Sequence, residues 1–291
     1  LLTTTLFVFI SSTRSLASTN VLYSDVGNAI LNAKESLIYG DYRLDMQSDC
    51  NLVLYNKAAP YWASGTRWSW GGNCHLNLQS NGELVMYAYL GRTRIAIWRS
   101  GIISATGSYA LVLKYDGALH VHGPSLWSTN ATGPTTPTTA SWSIDSTLWS
   151  GDVATIGPTI ANGDYKLELL DTCNLTLSNT KTGQVLWYTN TTDWVHDCYV
   201  NIEGNGELKI KYLGGATLWS NKVGAGYTNN YVLGLRPDGK LDTYNAPIWS
   251  PTIGPGVHVA PAVYNASSNA VAAEGNGEKI AMVTGRAKNS T

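Results

Sequence analysis

Phenylalanine is nearly missing from this 291-residue chain, with 2 copies against 17 Tyr and 11 Trp. A greasy helical core is thereby disfavoured, and the polar-tipped aromatics that remain suit strands and amphipathic surfaces. Charge is scarce too, at 13% of residues, with 19 basic and 20 acidic side chains giving a formal net charge of -1. No run of Lys and Arg can neutralise a row of phosphates, so nucleic acid is excluded as a partner. After the N-terminus no segment reaches the roughly 18 apolar residues of a membrane helix, so membrane insertion is not expected. There is no GxSxG elbow, phosphate loop or zinc motif, and the carboxylates Asp45 and Asp49 sit on a strand-like segment without an evident cleft. An enzyme is not expected, nor any cofactor or metal.

What is present is repetition. Gly40-Asp41-Tyr42 through Cys50-Asn51-Leu52 matches Gly163-Asp164-Tyr165 through Cys173-Asn174-Leu175. Asn81-Gly82-Glu83-Leu84 matches Asn205-Gly206-Glu207-Leu208, and each half closes on Leu126-Trp127-Ser128 or Ile248-Trp249-Ser250. Two homologous domains follow, 20–128 and 146–250. The Thr/Pro-rich stretch 129–145 reads as a linker. Residues 1–19 carry an apolar run and a small-residue cleavage pattern that read as a partial signal peptide, so a secreted or vacuolar protein is expected. Residues 251–291, rich in Gly, Ala, Ser and Asn, read as a disordered tail or propeptide.

The four cysteines fall one pair per repeat at nearly equal separations. In an oxidising compartment this suggests disulfides Cys50–Cys74 and Cys173–Cys198, with zinc a weaker rival. Within each domain a finer threefold repeat places a Trp after a strand-like segment, as at Trp62, Trp98 and Trp127. The short alternating strands predict an all-β fold with approximate threefold symmetry and the Trp residues near its axis.

One stretch, Gln47-Ser-Asp-Cys-Asn-Leu-Val-Leu-Tyr55, alternates polar and apolar residues. Read as a strand, it puts Ser48, Cys50, Leu52 and Leu54 on a core face and Gln47, Asp49, Asn51, Val53 and Tyr55 on the other. A carboxylate, two amides, a phenol and an aliphatic patch can satisfy sugar hydroxyls and ring C–H groups, although a merely solvated strand would read the same. At all five positions the stretch fits QxDxNxVxY, and the chain resembles the monocot mannose-binding lectins, the snowdrop-agglutinin-like family, over roughly Asn20 to Trp249. The resemblance implies two tandem β-prism II domains, each of three four-stranded sheets. It also implies metal-independent binding of terminal α-mannose or high-mannose glycans and glycoproteins, in plant defence. By the same resemblance Gln47 meets O3, Asp49 and Asn51 the axial O2, Tyr55 the O4 and Val53 the C3–C4 edge. Domain pairing or a homo-dimer by exchange of the C-terminal strands around Leu126–Ser128 and Ile248–Ser250 is implied as well.

The other five copies of the signature are damaged. Gln79, Asn81, Glu83, Val85 and Tyr87 form a candidate weak second site in which Asn81 replaces Asp and Glu83 replaces Asn. The third copy has Lys114, Asp116, Ala118, His120 and His122, whose histidines are expected on the surface rather than on a metal. In the second domain the copies begin at Leu170, Glu203 and Arg236, and Asn174-Leu-Thr176 has become one of five N-glycosylation sequons. This damage keeps open an alternative, a storage or defence protein with weak mannose binding or altered specificity for complex glycans.

Overall fold

The computed structural model describes residues 20–26, 29–67, 73–129, 146–191, 197–226, 228–251, 270–273 and 280–283. The predicted signal segment, nearly all of the linker and most of the tail lie outside these residues. Every described element is a strand, and the strands form two three-sheet prisms.

In the first prism, sheet I consists of Ser36–Tyr39, Tyr42–Met46, Leu52–Asn56 and Ala59–Ala63 in that order. Sheet II begins with Ile30–Asn32, Cys74–Leu78, Leu84–Leu90 and Thr93–Arg99. Two strands from the tail, Ala270–Ala273 and Ile280–Val283, extend it past Thr93–Arg99, the latter pairing in parallel through Met282 and Ala96. Sheet III contains Val21–Tyr23, Ala110–Leu113, Leu119–His122 and, from the far end of the sequence, Pro247–Trp249. The second prism repeats the plan. Sheet IV is Gly157–Asn162, Tyr165–Leu169, Leu175–Asn179 and Val185–Tyr188, and sheet V is Val153–Thr155, Cys198–Ile202, Leu208–Tyr212 and Thr217–Ser220. Sheet VI pairs Thr147–Trp149, Val232–Leu235 and Leu241–Tyr244 with Ser125–Ser128 from the first half of the chain.

The last strand of each half is thus exchanged within the chain. Trp62 and Trp98 pack edge-to-face against Trp249, with ring centroids 6.1 to 6.3 Å apart. Trp127 crosses the other way, to Trp187 at 5.7 Å, and Trp187 meets Trp219 at 5.9 Å. Such pairs add to the area they bury, so the indole clusters on each prism axis fasten the two halves to one another. Alternation fills the rest of the cores: Leu44, Leu52, Leu54, Leu76, Leu84 and Leu111 are all fully buried in the first prism, and Leu167, Leu175, Leu177, Leu208 and Leu233 in the second.

Both expected disulfides are formed, Cys50–Cys74 and Cys173–Cys198. Each ties the turn before a central strand to the first paired strand of the next sheet. The double variant Cys50→Ser/Cys74→Ser should therefore lose about 3 kcal/mol of stability. Denaturant unfolding of the oxidised wild type beside the variant measures the difference.

Sheets III and VI face each other between the prisms. Val21, Tyr23, Ala110, Val112, Trp149, Val232 and Tyr244 form a shared apolar cluster. At Gly234 an added Cβ would come 2.7 Å from the Tyr23 hydroxyl, so the close approach of the sheets requires glycine there. The third and sixth signature copies lie on these faces. His122, expected on the surface, is instead fully buried, with Nδ1 3.0 Å from the Asn245 carbonyl oxygen; burial lowers its pKa to about 3 and keeps the ring neutral. In the sixth copy Arg236, 4% exposed, reaches Asp238 through two hydrogen bonds (2.9 and 3.2 Å), Asp242 at 2.7 Å and Asp25 of the first prism at 2.9 Å. These two copies are domain contacts, which accounts for their divergence.

Candidate carbohydrate-binding site

The stretch Gln47–Tyr55 is not one uninterrupted strand, as alternation predicted. Met46 ends one strand and Leu52 begins the next, with Met46 and Leu52 paired in register. Between them the Gln47 N–H bonds the Asn51 carbonyl oxygen at 2.9 Å, and the Cys50 N–H bonds that of Gln47 at 3.0 Å. The chain turns at Cys50, whose φ is 65°. A left-handed residue costs energy unless its surroundings fix it, and the disulfide to Cys74 does so here. The turn places Gln47 opposite Asn51, so the five predicted residues still meet on one outer face, Gln47, Asp49 and Asn51 in the turn and Val53 and Tyr55 on the strand that follows it.

Several hydrogen bonds hold them. Gln47 Nε2 donates to the Tyr55 hydroxyl at 2.7 Å, which leaves that hydroxyl's proton and Gln47 Oε1 for a ligand. The Asn51 N–H donates to Asp49 Oδ1 at 3.1 Å. Asn51 is 4% exposed, and its Oδ1 accepts from Ser64 Oγ at 3.1 Å, which turns its Nδ2 into the outward donor. Val53, also 4% exposed, lies between the polar groups. The site therefore presents acceptors at Asp49 and Gln47, donors at Asn51 and Tyr55, and an apolar floor. Fixed side chains of this kind lose little freedom on binding.

Sequence reasoning missed the supports. Ser64 also accepts from the Leu52 N–H at 3.0 Å, while Thr66 Oγ1 donates to the Cys50 carbonyl at 2.7 Å. Arg67 Nε lies 3.9 Å from Asp49 Oδ2, and the Arg43 guanidinium sits 4.9 Å over the Tyr55 ring. A signal for Ser64 exists in the repeat: the residue two after a Trp caps the signature strand in five sheets. Ser100 caps Leu84, Thr129 caps Leu241, Thr189 caps Leu175 and Asn221 caps Leu208, at 3.0 to 3.2 Å.

The candidate second site keeps the same scaffold. Gln79 Nε2 donates to the Tyr87 hydroxyl at 2.8 Å, and the Glu83 N–H donates to Asn81 Oδ1 at 3.1 Å. Val85 is fully buried. Glu83, 3% exposed, points at Arg99, whose Nη1 is 2.6 Å from its carboxylate. Arg99 stands where sheet I has Ala63, since Val85 pairs with Arg99 as Val53 pairs with Ala63. The donor that Asn51 offers in sheet I is thus replaced by an internal ion pair. Sheet V is filled in a similar way by Lys209 on Glu207 at 3.0 Å and Lys211 on Glu203. In sheet IV the Asn174–Thr189 bond survives at 3.0 Å, but Leu170, Thr172, Thr176 and Ser178 replace the other four positions.

Two three-sheet prisms closed by axial tryptophans, with sugar-type polar rows on their outer faces, define a lectin of the β-prism II fold. The relatives agree. The chain is 36% identical over 222 residues to mannose-specific lectin 2 of Colocasia esculenta, covering 75% of this chain and 81% of that protein. It is 31% identical over 242 residues to mannose-specific lectin 1 of Crocus vernus, covering 81% and 87%. Among solved structures, the two-domain, fetuin-binding agglutinin of Scilla campanulata superposes with a TM-score of 0.70 at 26% identity, covering 80% of this chain and 100% of that one. No protein-family profile matches the chain. The protein belongs to the monocot mannose-binding lectin family, whose members are binding proteins rather than enzymes.

Proposed function

We propose that the protein binds terminal α-mannose and high-mannose glycans through Gln47, Asp49, Asn51, Val53 and Tyr55, without metal, and serves in plant defence. What carries the reading is the state of the Gln47–Tyr55 row: its side chains are bonded to one another, yet each polar group keeps an unspent donor or acceptor facing outward. Direct hydrogen bonds of this type need no cation. The two disulfides suit an oxidising compartment, in keeping with a secreted or vacuolar protein. A single shallow site binds a monosaccharide weakly, so biological avidity uses several chains or several glycans. The pairing of both C-terminal strands across the two halves of the chain supports the domain-pairing alternative over a strand-exchanged homo-dimer. The test is a glycan array with methyl α-mannoside as competitor; high-mannose glycans should dominate the bound set, and binding that mannose does not compete away would contradict the proposal.

The ion pairs on sheets II and V favour a second reading, a defence or storage protein whose remaining faces are silent or turned to complex glycans. Restoring the sheet I chemistry on sheet II separates the two. Asn81→Asp/Glu83→Asn/Arg99→Ala should raise the number of methyl α-mannoside sites per chain from one to two in a calorimetric titration. A wild-type stoichiometry already at two would show that the Glu83–Arg99 pair does not silence the sheet.

A further inference from the structure

Sheet IV has lost the groups that would read a sugar but keeps the asparagine. Asn174 stands where sheet I has Asn51, directly after a left-handed turn at Cys173, whose φ is 60°, and directly before the strand Leu175–Asn179. Leu170, Thr172, Thr176 and Ser178 offer neither a carboxylate nor a phenol, and the charges on the paired strand, Lys166 and Glu168, are spent on each other at 2.6 Å. A free monosaccharide finds little to hold here. Asn174-Leu175-Thr176 is at the same time an acceptor sequence for an N-linked glycan, and of the five sequons it is the one whose three residues all lie among the described residues.

The geometry suits an attached sugar. Thr189 Oγ1 donates to Asn174 Oδ1 at 3.0 Å, and Thr189 is itself fixed by accepting from the Leu175 N–H at 3.1 Å. The carbonyl side of the amide is thereby held to the sheet, while Nδ2, which has no partner among the described residues, is left on the outer side, as in Asn51. Asn174 is partly exposed, where Asn51 is 4% exposed. Substitution at Nδ2 spares Oδ1, so the bond to Thr189 persists when a glycan is attached. Thr176 pairs with Tyr188 as Val53 pairs with Ala63 in sheet I, which sets a phenol ring beside the strand that follows Asn174. Trp187 turns to the prism axis and Tyr188 outward, 53% exposed. An exposed aromatic ring one strand from the amide gives the apolar face of the first attached sugar a surface to lie on.

We infer that Asn174 carries an N-linked glycan, so that sheet IV is a sugar-bearing face where sheet I is a sugar-binding one. In the transfer the Asn174 Nδ2–C1 bond forms as the C1–O bond of a polyprenyl-diphosphate-linked oligosaccharide breaks; Nδ2 gives up one proton and the lipid diphosphate leaves. The inference rests on the reading of a secreted or vacuolar protein, because that donor belongs to the secretory pathway. Trypsin releases the peptide Leu167–Lys181, which holds Asn174, no other sequon, and Cys173. The test is mass spectrometry of this peptide from the native protein, with free thiols alkylated before reduction. Most copies should show an oxidised Cys173 and a glycan on Asn174, which peptide N-glycosidase removes with conversion of Asn174 to Asp. In chains expressed in plant cells, Thr176→Ser should keep the glycan and Thr176→Ala should lose it. The Thr176 hydroxyl makes only a 3.4 Å contact with the Glu168 carbonyl oxygen, so neither change disturbs the sheet. If Cys173 is oxidised and Asn174 is bare in most copies, the glycan is refuted and the secreted reading stands. A glycan that survives on the peptide after Thr176→Ala refutes Asn174 as the acceptor. If Cys173 is reduced and Asn174 bare, both readings fall.

Discussion

Asp49→Ala/Asn51→Ala is expected to lower the affinity for methyl α-mannoside by about 100-fold, the largest effect on binding that any pair of substitutions in the chain should have. Asp49 offers a charged acceptor and Asn51 an outward donor; a hydrogen bond to a charged group contributes about 1.5–3 kcal/mol and a neutral one about 1 kcal/mol. A combined loss of about 3 kcal/mol corresponds to roughly two powers of ten in the dissociation constant. The substitutions leave the turn in place, because the backbone bonds of Gln47 and Cys50 and the disulfide to Cys74 do not involve these side chains. A monovalent titration is required, since multivalent display masks site affinity. If both side chains meet one hydroxyl, the single variants should sum to more than the double, because groups that share a partner are not additive. A double variant within about tenfold of wild type would remove these residues from the site. Glucose provides the complementary control: if both groups meet an axial hydroxyl, its equatorial epimer leaves them unpaired, and wild type should prefer mannose by a margin that the double variant lacks.

The parts of this picture that were legible in the sequence are those that short-range chemistry determines. Leu52 and Leu54 are buried where alternation put them, and the paired cysteines close within their own repeats. The five signature residues share a face, although alternation alone gave the wrong reason, since a left-handed turn at Cys50 rather than a straight strand brings Gln47 and Asp49 to it. The less legible parts depend on partners far along the chain. Ser64 lies thirteen residues beyond Asn51 and Arg99 sixteen beyond Glu83, so whether a site is open or filled is decided by the next strand rather than by the signature. His122 read as a surface residue because its own strand alternates normally. Its cover comes from Trp149 and Asn245, which domain packing supplies.

The same dependence explains how a damaged signature can be structurally necessary. The sixth copy retains Asp238 and Tyr244, two positions of a sugar site, yet both now serve Arg236 and Asp242. Burial works against the charge of Arg236, but Tyr244, Asp242 and Asp25 outweigh it and hold the guanidinium protonated. Removing the cation leaves the Asp242 carboxylate, 1% exposed, without its counter-charge. Arg236→Ala should therefore cost about 3–5 kcal/mol, the usual penalty for an abandoned buried charge. Denaturant unfolding reads this as a lower midpoint. Arg236→Lys should recover little, because one ammonium cannot reproduce two bonds to Asp238 together with those to Asp242 and Asp25. Arg236→Met/Asp242→Leu should recover much of the loss, since apolar groups of similar volume replace a buried pair at little cost. Methyl α-mannoside affinity should stay within about twofold in all three variants, because the Gln47–Tyr55 row lies on sheet I and its hydrogen bonds stay within that sheet. A loss below about 1 kcal/mol in Arg236→Ala would mean that water reaches the cluster and screens it, and that the apolar contacts of Tyr23, Trp149 and Val232 alone hold the prisms together.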